Sequence, residues 1–205
     1  MLGVESLGFF FITSVLLALS PGPDNIFVLT HGAHHGRKAG LMVTLGLCSG
    51  LCFHTALVAL GVAALLQASP VAFSVLKLIG ASYLLYLAWG AWRSSASSLP
   101  AQPPLSSRAL YIRGVVMNVT NPKVALFFLA YLPQFITPNF GHAGGQTLLL
   151  GGVFMLAALL TFSSIACSAG LLAPWLGAAA HRQMWLDRLA ALIFVMLAMR
   201  LLLGG

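Results

Sequence analysis

The chain has 205 residues, of which 60% are hydrophobic and only 6% charged. Soluble domains carry about 25% charged residues, so an ordinary soluble enzyme or binding module is excluded. The net charge of +7 does not point to nucleic acid either, because the basic residues are scattered between apolar stretches and form no single polar face.

Hydrophobic stretches cover roughly residues 7–29, 39–66, 71–92, 115–133, 147–176 and 185–203. Each is close to the ~20 residues needed to cross ~30 Å of hydrocarbon. The expected fold is an all-α integral membrane protein, residues 1–205 forming one membrane domain of six transmembrane helices in a lipid bilayer. The first stretch is read as a retained helix. It carries Glu5 where a signal peptide has a basic region, and its apolar run is too long for one.

That first helix is interrupted at Ser20-Pro21-Gly22-Pro23-Asp24-Asn25. Pro21 and Pro23 remove backbone donors where lipid offers no replacement, leaving the carbonyls of Leu17 and Leu19 as free acceptors, and Gly22 lets the chain bend. Asp24 is one of three acids in the chain and the only one deep inside an apolar span, since Glu5 sits at the outer end of helix one and Asp187 at the inner start of helix six. Burying it costs at least ~2.5–3.5 kcal/mol. Two readings are open: a cap for the helix restarting after Pro23, or a binding site for a substrate ammonium or a proton.

The loop after helix one brings His31, His34 and His35 beside Arg37 and Lys38. Histidines three and four apart share a helix face and raise metal binding, but no carboxylate or cysteine joins them, which favours solvation at a cytoplasmic edge. Gly36, Gly40, Gly46 and Gly50 then form a stripe of small residues suited to close helix packing. His54, in helix two, is either a proton carrier near neutral pH or a hydrogen-bonded packing residue. Cys48, Cys52 and Cys167 form no framework. Trp89 and Trp92 end helix three as interfacial anchors.

A Ser-, Pro- and Ala-rich segment follows, and residues 94–112 are read as a cytoplasmic linker between two three-helix halves, 1–93 and 113–205. An odd number of helices per half inverts the second relative to the first, the arrangement of inverted-repeat transporters. The second half opens with its own break, Asn118-Val119-Thr120-Asn121-Pro122-Lys123. Pro122 frees the carbonyl of Asn118 and aligns with Pro21 in a weak internal match of the two breaks. Lys123 lies near the middle of the span. It can pair with Asp24 as a gate, bind a substrate carboxylate, or snorkel to an interface. Asn25, Asn118, Asn121 and Thr120 add donors and acceptors suited to a zwitterion.

The remaining basic residues report topology. Arg37, Lys38, Arg93, Arg108, Arg113, Arg182 and Arg188 fall in the odd-numbered loops, whereas loops two and four hold neither Lys nor Arg. The positive-inside rule therefore places the odd loops in the cytoplasm of a bacterial inner membrane and both termini outside.

Together, Ser20-Pro21-Gly22-Pro23-Asp24, the glycine stripe from Gly36 to Gly50, Gly80-Ala81-Ser82-Tyr83-Leu84-Leu85-Tyr86-Leu87 and Asn121-Pro122-Lys123 resemble the LysE/RhtB family of amino-acid exporters. The similarity is greatest to its branch for neutral amino acids such as homoserine, threonine or leucine. The resemblance implies an inner-membrane exporter driven by protons, and it supports Asp24, Asn25, Asn121, Pro122 and Lys123 as site residues. No enzymatic activity, cofactor or metal site is expected. A homodimer is compatible with six short helices. The alternatives are a divalent-metal exporter, for which Asp24 and His54 offer few ligands, a thiol–disulfide carrier using Cys52 and Cys167, and a non-transporting assembly subunit.

Overall fold

The computed structural model describes residues 3–68, 70–93, 103–137, 142–177 and 180–203. Residues 94–102 of the expected linker lie outside the described residues. The elements are α1 (Val4–Leu19), α2 (Pro23–His35), α3 (Arg37–Ala68), α4 (Pro70–Arg93), α5 (Ser107–Val119), α6 (Pro122–Leu126), a π segment (Phe127–Tyr131), a 3-10 turn (Leu132–Phe135), α7 (Ala143–Gly177) and α8 (Ala180–Leu203). Among the described residues there is no strand.

Three helices are long and apolar enough to cross a membrane, in residues Arg37–Gly61, Val71–Arg93 and Ala143–Ala173, and the count rises to five if each bent pair is one span. α8 carries Asp187, Arg188 and Arg200 and is not among them. The surface suits lipid: Ile12, Leu60, Tyr86, Leu192 and Leu203 are exposed, whereas Thr13, Ser14, Ser20, Asp24, Asn118, Asn121 and Lys123 are buried. Polar groups inside and large apolar groups outside invert the pattern of a soluble core.

Both breaks have one local cause. A proline disfavours the helical region for the residue before it, and Ser20, Gly22 and Asn121, each preceding a proline at a break, are all extended. The chain bends by 65° between α1 and α2 and by 47° between α5 and the segment beginning at Pro122. In each case a proline then restarts the helix at its first position, where no N–H is needed. The helix restarts correct the expected register. Pro122 corresponds to Pro23, not to Pro21, so Gly22-Pro23-Asp24 matches Asn121-Pro122-Lys123.

α3 is central, packing against α5, α7 and α2; α1 and α2 pack on α7, and α4 pairs with α8. α5 crosses α3 at Gly46 and Gly114, where a Cβ on Gly46 would run into the backbone of Tyr111. Gly40 faces Ala166 of α7 and Gly50 faces Asn118 of α5, so the glycine stripe serves two partners. Gly36 departs from the packing role expected of it. A Cβ there would meet nothing, but its φ of 83° joins α2 directly to α3, a conformation suited to glycine.

Beyond α6 the helix widens. The Leu132 N–H bonds to the Phe127 carbonyl, five residues back, and Pro133 has no N–H with which to resume the α ladder. Phe127 stacks on Tyr131 at 4.8 Å and meets Phe154 of α7 at 5.1 Å, while Phe135 meets Phe10 of α1 edge-on at 5.0 Å. Such pairs contribute about 0.5–1.5 kcal/mol each beyond area burial. They hold the second break against the first.

Candidate functional site

A broken helix leaves its last carbonyls without intrahelical donors, and those of α1 can be followed one by one. Leu16 accepts from the Ser20 N–H. Leu17 accepts from Ser20 Oγ at 2.6 Å and from Lys123 Nζ at 3.3 Å. Asn25 Nδ2 donates to Ala18 at 2.8 Å and to Leu19 at 3.2 Å. At the second break the Asn118 carbonyl accepts from the Asn121 N–H and is 3.1 Å from His54 Nε2. The carbonyls of Leu17, Leu19 and Asn118, expected to stand free, thus each have a donor, because side chains from the breaks and from α3 reach them.

The two breaks meet at their polar centres. Asn121 caps α6, its Oδ1 accepting from the Lys123 N–H at 3.0 Å, while its Nδ2 donates to Asp24 Oδ2 at 2.7 Å. Asp24 is not the cap of α2: Gly22 holds that position and Pro23 the first helical one, so the carboxylate lies in the first turn. There the positive end of the helix dipole favours it. Lys123 sits at the equivalent place in α6, where the dipole opposes it. Its Nζ turns instead to the C-terminal end of α1, donating to Leu17 O, Ser20 O at 3.2 Å and Ser20 Oγ at 3.4 Å. Lys123 is buried and does not snorkel. A Cβ on Gly22 would come 3.2 Å from Nζ; its extended φ of −174° suits any residue, so Gly22 serves here by leaving space.

Asp24, Asn118 and Lys123 line one small cavity with Leu51, Phe154 and Phe162, with room for about one water. Asp24 Oδ1, Asn25 Oδ1 and Asn118 Oδ1 are buried without a hydrogen-bond partner. Buried polar atoms are nearly always satisfied, and these three are acceptors in search of a donor. The site therefore offers a carboxylate, an ammonium and amides within one apolar enclosure.

Of the residues expected at a site, Asp24, Asn118, Asn121, Lys123 and His54 come together, while Asn25 braces the α1 side of the first break. His31 was expected at a solvated edge. It is fully buried, with Nδ1 3.1 Å from the Phe27 carbonyl, whereas His34 is exposed; α2 continues past Leu29 and carries His31 inward. Among the described residues no three His, Cys, Asp or Glu side chains are grouped as metal ligands. Ser20 was missed as a ligand, although its place before Pro21 signalled an open carbonyl. Phe154 and Phe162 were missed because nothing in α7 distinguishes them from other apolar residues.

The model of the family described as LysE type translocator matches residues 15–205. A homoserine/homoserine lactone efflux protein of Salmonella typhi is 35% identical over 169 residues, 82% of each chain. A leucine efflux protein of Enterobacter sp. (strain 638) is 31% identical over 205 residues, covering 97% of this chain and 96% of its own. An uncharacterized membrane protein of Vibrio cholerae is 37% identical over 144 residues, 69% of this chain and 70% of that one. No solved structure matches.

Proposed function

The chain belongs to the LysE type translocator family, and from that premise we propose that it is an efflux transporter for amino acids or close derivatives in a bacterial inner membrane, driven by proton entry. The observation that carries the proposal is the buried contact between the two breaks, in which Asn121 joins Asp24 at 2.7 Å beside the Lys123 ammonium. Ionisable groups at such depth are costly and mark solute or proton pathways. The names of the Salmonella and Enterobacter relatives support an amino-acid cargo over a divalent metal.

The proposed architecture is six spans in two inverted repeats, residues 1–93 and 113–205, with the connector in the cytoplasm and both termini outside. Packing supports it: α3 on α5 corresponds to α7 on α1 under such a repeat, while α3–α7 and α4–α8 are self-paired. The basic residues of the odd loops support the orientation. α8 becomes the sixth span, its Arg200 resting 3.8 Å over the Phe9 ring near one end.

In the proposed cycle a substrate ammonium meets Asp24 and the Leu17 carbonyl, while its carboxylate meets Lys123 and the amide of Asn121; Asn25 keeps the Ala18 and Leu19 carbonyls satisfied. Asn118 and His54 hold the second break in place. The cavity is too small for an amino acid, so the conformation is occluded and the broken helices part to load it. Protonation of Asp24 from outside weakens the ammonium contact, releasing the substrate and coupling export to the proton gradient.

Cells loaded with dipeptides and assayed for a panel of amino acids test this reading. The expected result is faster export of at least one of them by cells carrying this chain, cut at least about tenfold by Asp24→Asn. No export of any, with the protein inserted in the membrane, contradicts it.

A further inference from the structure

The Lys123 ammonium occupies a set of oxygens that it fits loosely. Its three acceptors, Leu17 O, Ser20 O and Ser20 Oγ, lie at 3.3, 3.2 and 3.4 Å, whereas charge-assisted N–H···O bonds settle near about 2.7–2.9 Å. Ser20 Oγ spends its own proton on Leu17 O at 2.6 Å, which leaves its lone pairs for the cation. On the wall of the cavity that Lys123 also lines, Asp24 Oδ1 has no donor although Asp24 is only 1% exposed. The oxygens of the first break thus hold an ammonium that leaves a neighbouring acceptor unsatisfied.

Building on the efflux reading, we propose that the Leu17–Ser20 oxygen cage is an ammonium subsite. Lys123 fills it between cycles as a tethered stand-in, and the primary ammonium of a substrate displaces it. An incoming ammonium has three N–H donors, which match Asp24 Oδ1, Leu17 O and Ser20 O. The displaced lysine is then left as an unpaired charge in a low-dielectric interior, a state that is strongly unfavourable until a substrate carboxylate reaches it. An amine with neither a carboxylate nor a carbonyl oxygen strands Lys123, and a quaternary ammonium has no N–H to give the cage. Betaines and N-acylated amino acids, which lack a primary ammonium, are accordingly refused.

Lys123→Ala vacates the cage by the length of a propylammonium ion, which provides the probe. Purified full-length protein in detergent is heated with n-propylammonium chloride or with propyltrimethylammonium chloride at equal ionic strength. At about five times its dissociation constant, propylammonium should raise the unfolding midpoint of Lys123→Ala by about 2–4 °C, saturably. Wild type should not respond, and the quaternary ion should act on neither protein. An equal response of both proteins to propylammonium, or none from the variant, overturns the proposal. Should Lys123→Ala be recovered folded only when extracted in propylammonium, that rescue counts for it. If no amine recovers the variant while Lys123→Met folds, the lysine supplies bulk alone and the proposal fails. Because the readout is binding to purified protein, a negative result leaves the export assay untouched, and a failed export assay leaves this result standing.

Discussion

The α1–α2 break and the α5–α6 break solve one problem in opposite ways. The first uses two prolines, bends by 65°, has no side-chain cap, and leaves carbonyls that are satisfied from outside by Lys123 and by Asn25 further along. The second uses one proline, bends by 47°, and caps itself with Asn121. The first is therefore a set of acceptors and the second a set of donors. Asp24 and Lys123 stand at the same position of their restarted helices, with opposite charge and opposite relation to the helix dipole. In this account the difference gives a zwitterion two unlike ends to meet.

The largest effect should come from removing the charge that belongs to the acceptor side. Asp24→Asn keeps the shape and the membrane insertion but removes the carboxylate, and hydrogen bonds to charged groups are worth about 1.5–3 kcal/mol. A fall in export of roughly 10–100-fold at equal protein level is expected, read as initial efflux rate. Next comes the residue that joins the breaks. Asn121→Ala removes the α6 cap and strips Asp24 Oδ2 of its donor, so a loss of about 2–4 kcal/mol in stability is expected, from a cap worth about 1 and a buried acceptor worth about 1–3. Thermal unfolding in detergent measures it.

Three smaller changes probe what holds the donor side in place. Gly46→Ala drives a methyl into the Tyr111 backbone of α5, and overpacking of this kind costs about 1–3 kcal/mol. Gly50→Ala meets the Cβ of Asn118, which the α5 backbone fixes, as well as its amide, so a similar cost is expected; no cost from either substitution in the same assay would count against a rigid α3–α5 crossing. His54→Phe leaves the Asn118 carbonyl with the Asn121 N–H alone, and about 1 kcal/mol of stability should go. Its export should fall less than that of Asp24→Asn.

Much of this was legible in the chain. Proline chemistry is local, so the breaks at Pro21, Pro23 and Pro122 and the place of Asp24 inside a span follow from the residues themselves, whereas snorkelling of Lys123 stayed an open reading until its burial was seen. The pairing of Asp24 with Asn121 was not legible, since it joins positions 97 apart, and His54 with Asn118 spans 64. The register of the breaks was misread because Pro21 and Pro23 are equally good candidates until one is seen to start a helix. Asp24 as a cap failed for the same reason, Pro23 having taken the first helical position. His31 was placed at the edge because the basic run that follows it masks how far α2 extends.

The central claim is that substrate binds where the two breaks meet. Counterflow in proteoliposomes tests it most directly, with unlabelled homoserine or leucine inside, the labelled amino acid outside, and no gradient applied. Wild type is expected to accumulate label transiently, and neither Asp24→Asn nor Lys123→Ala should do so when reconstituted to the same density. Undiminished counterflow by both variants would contradict the claim and move the binding site away from the breaks.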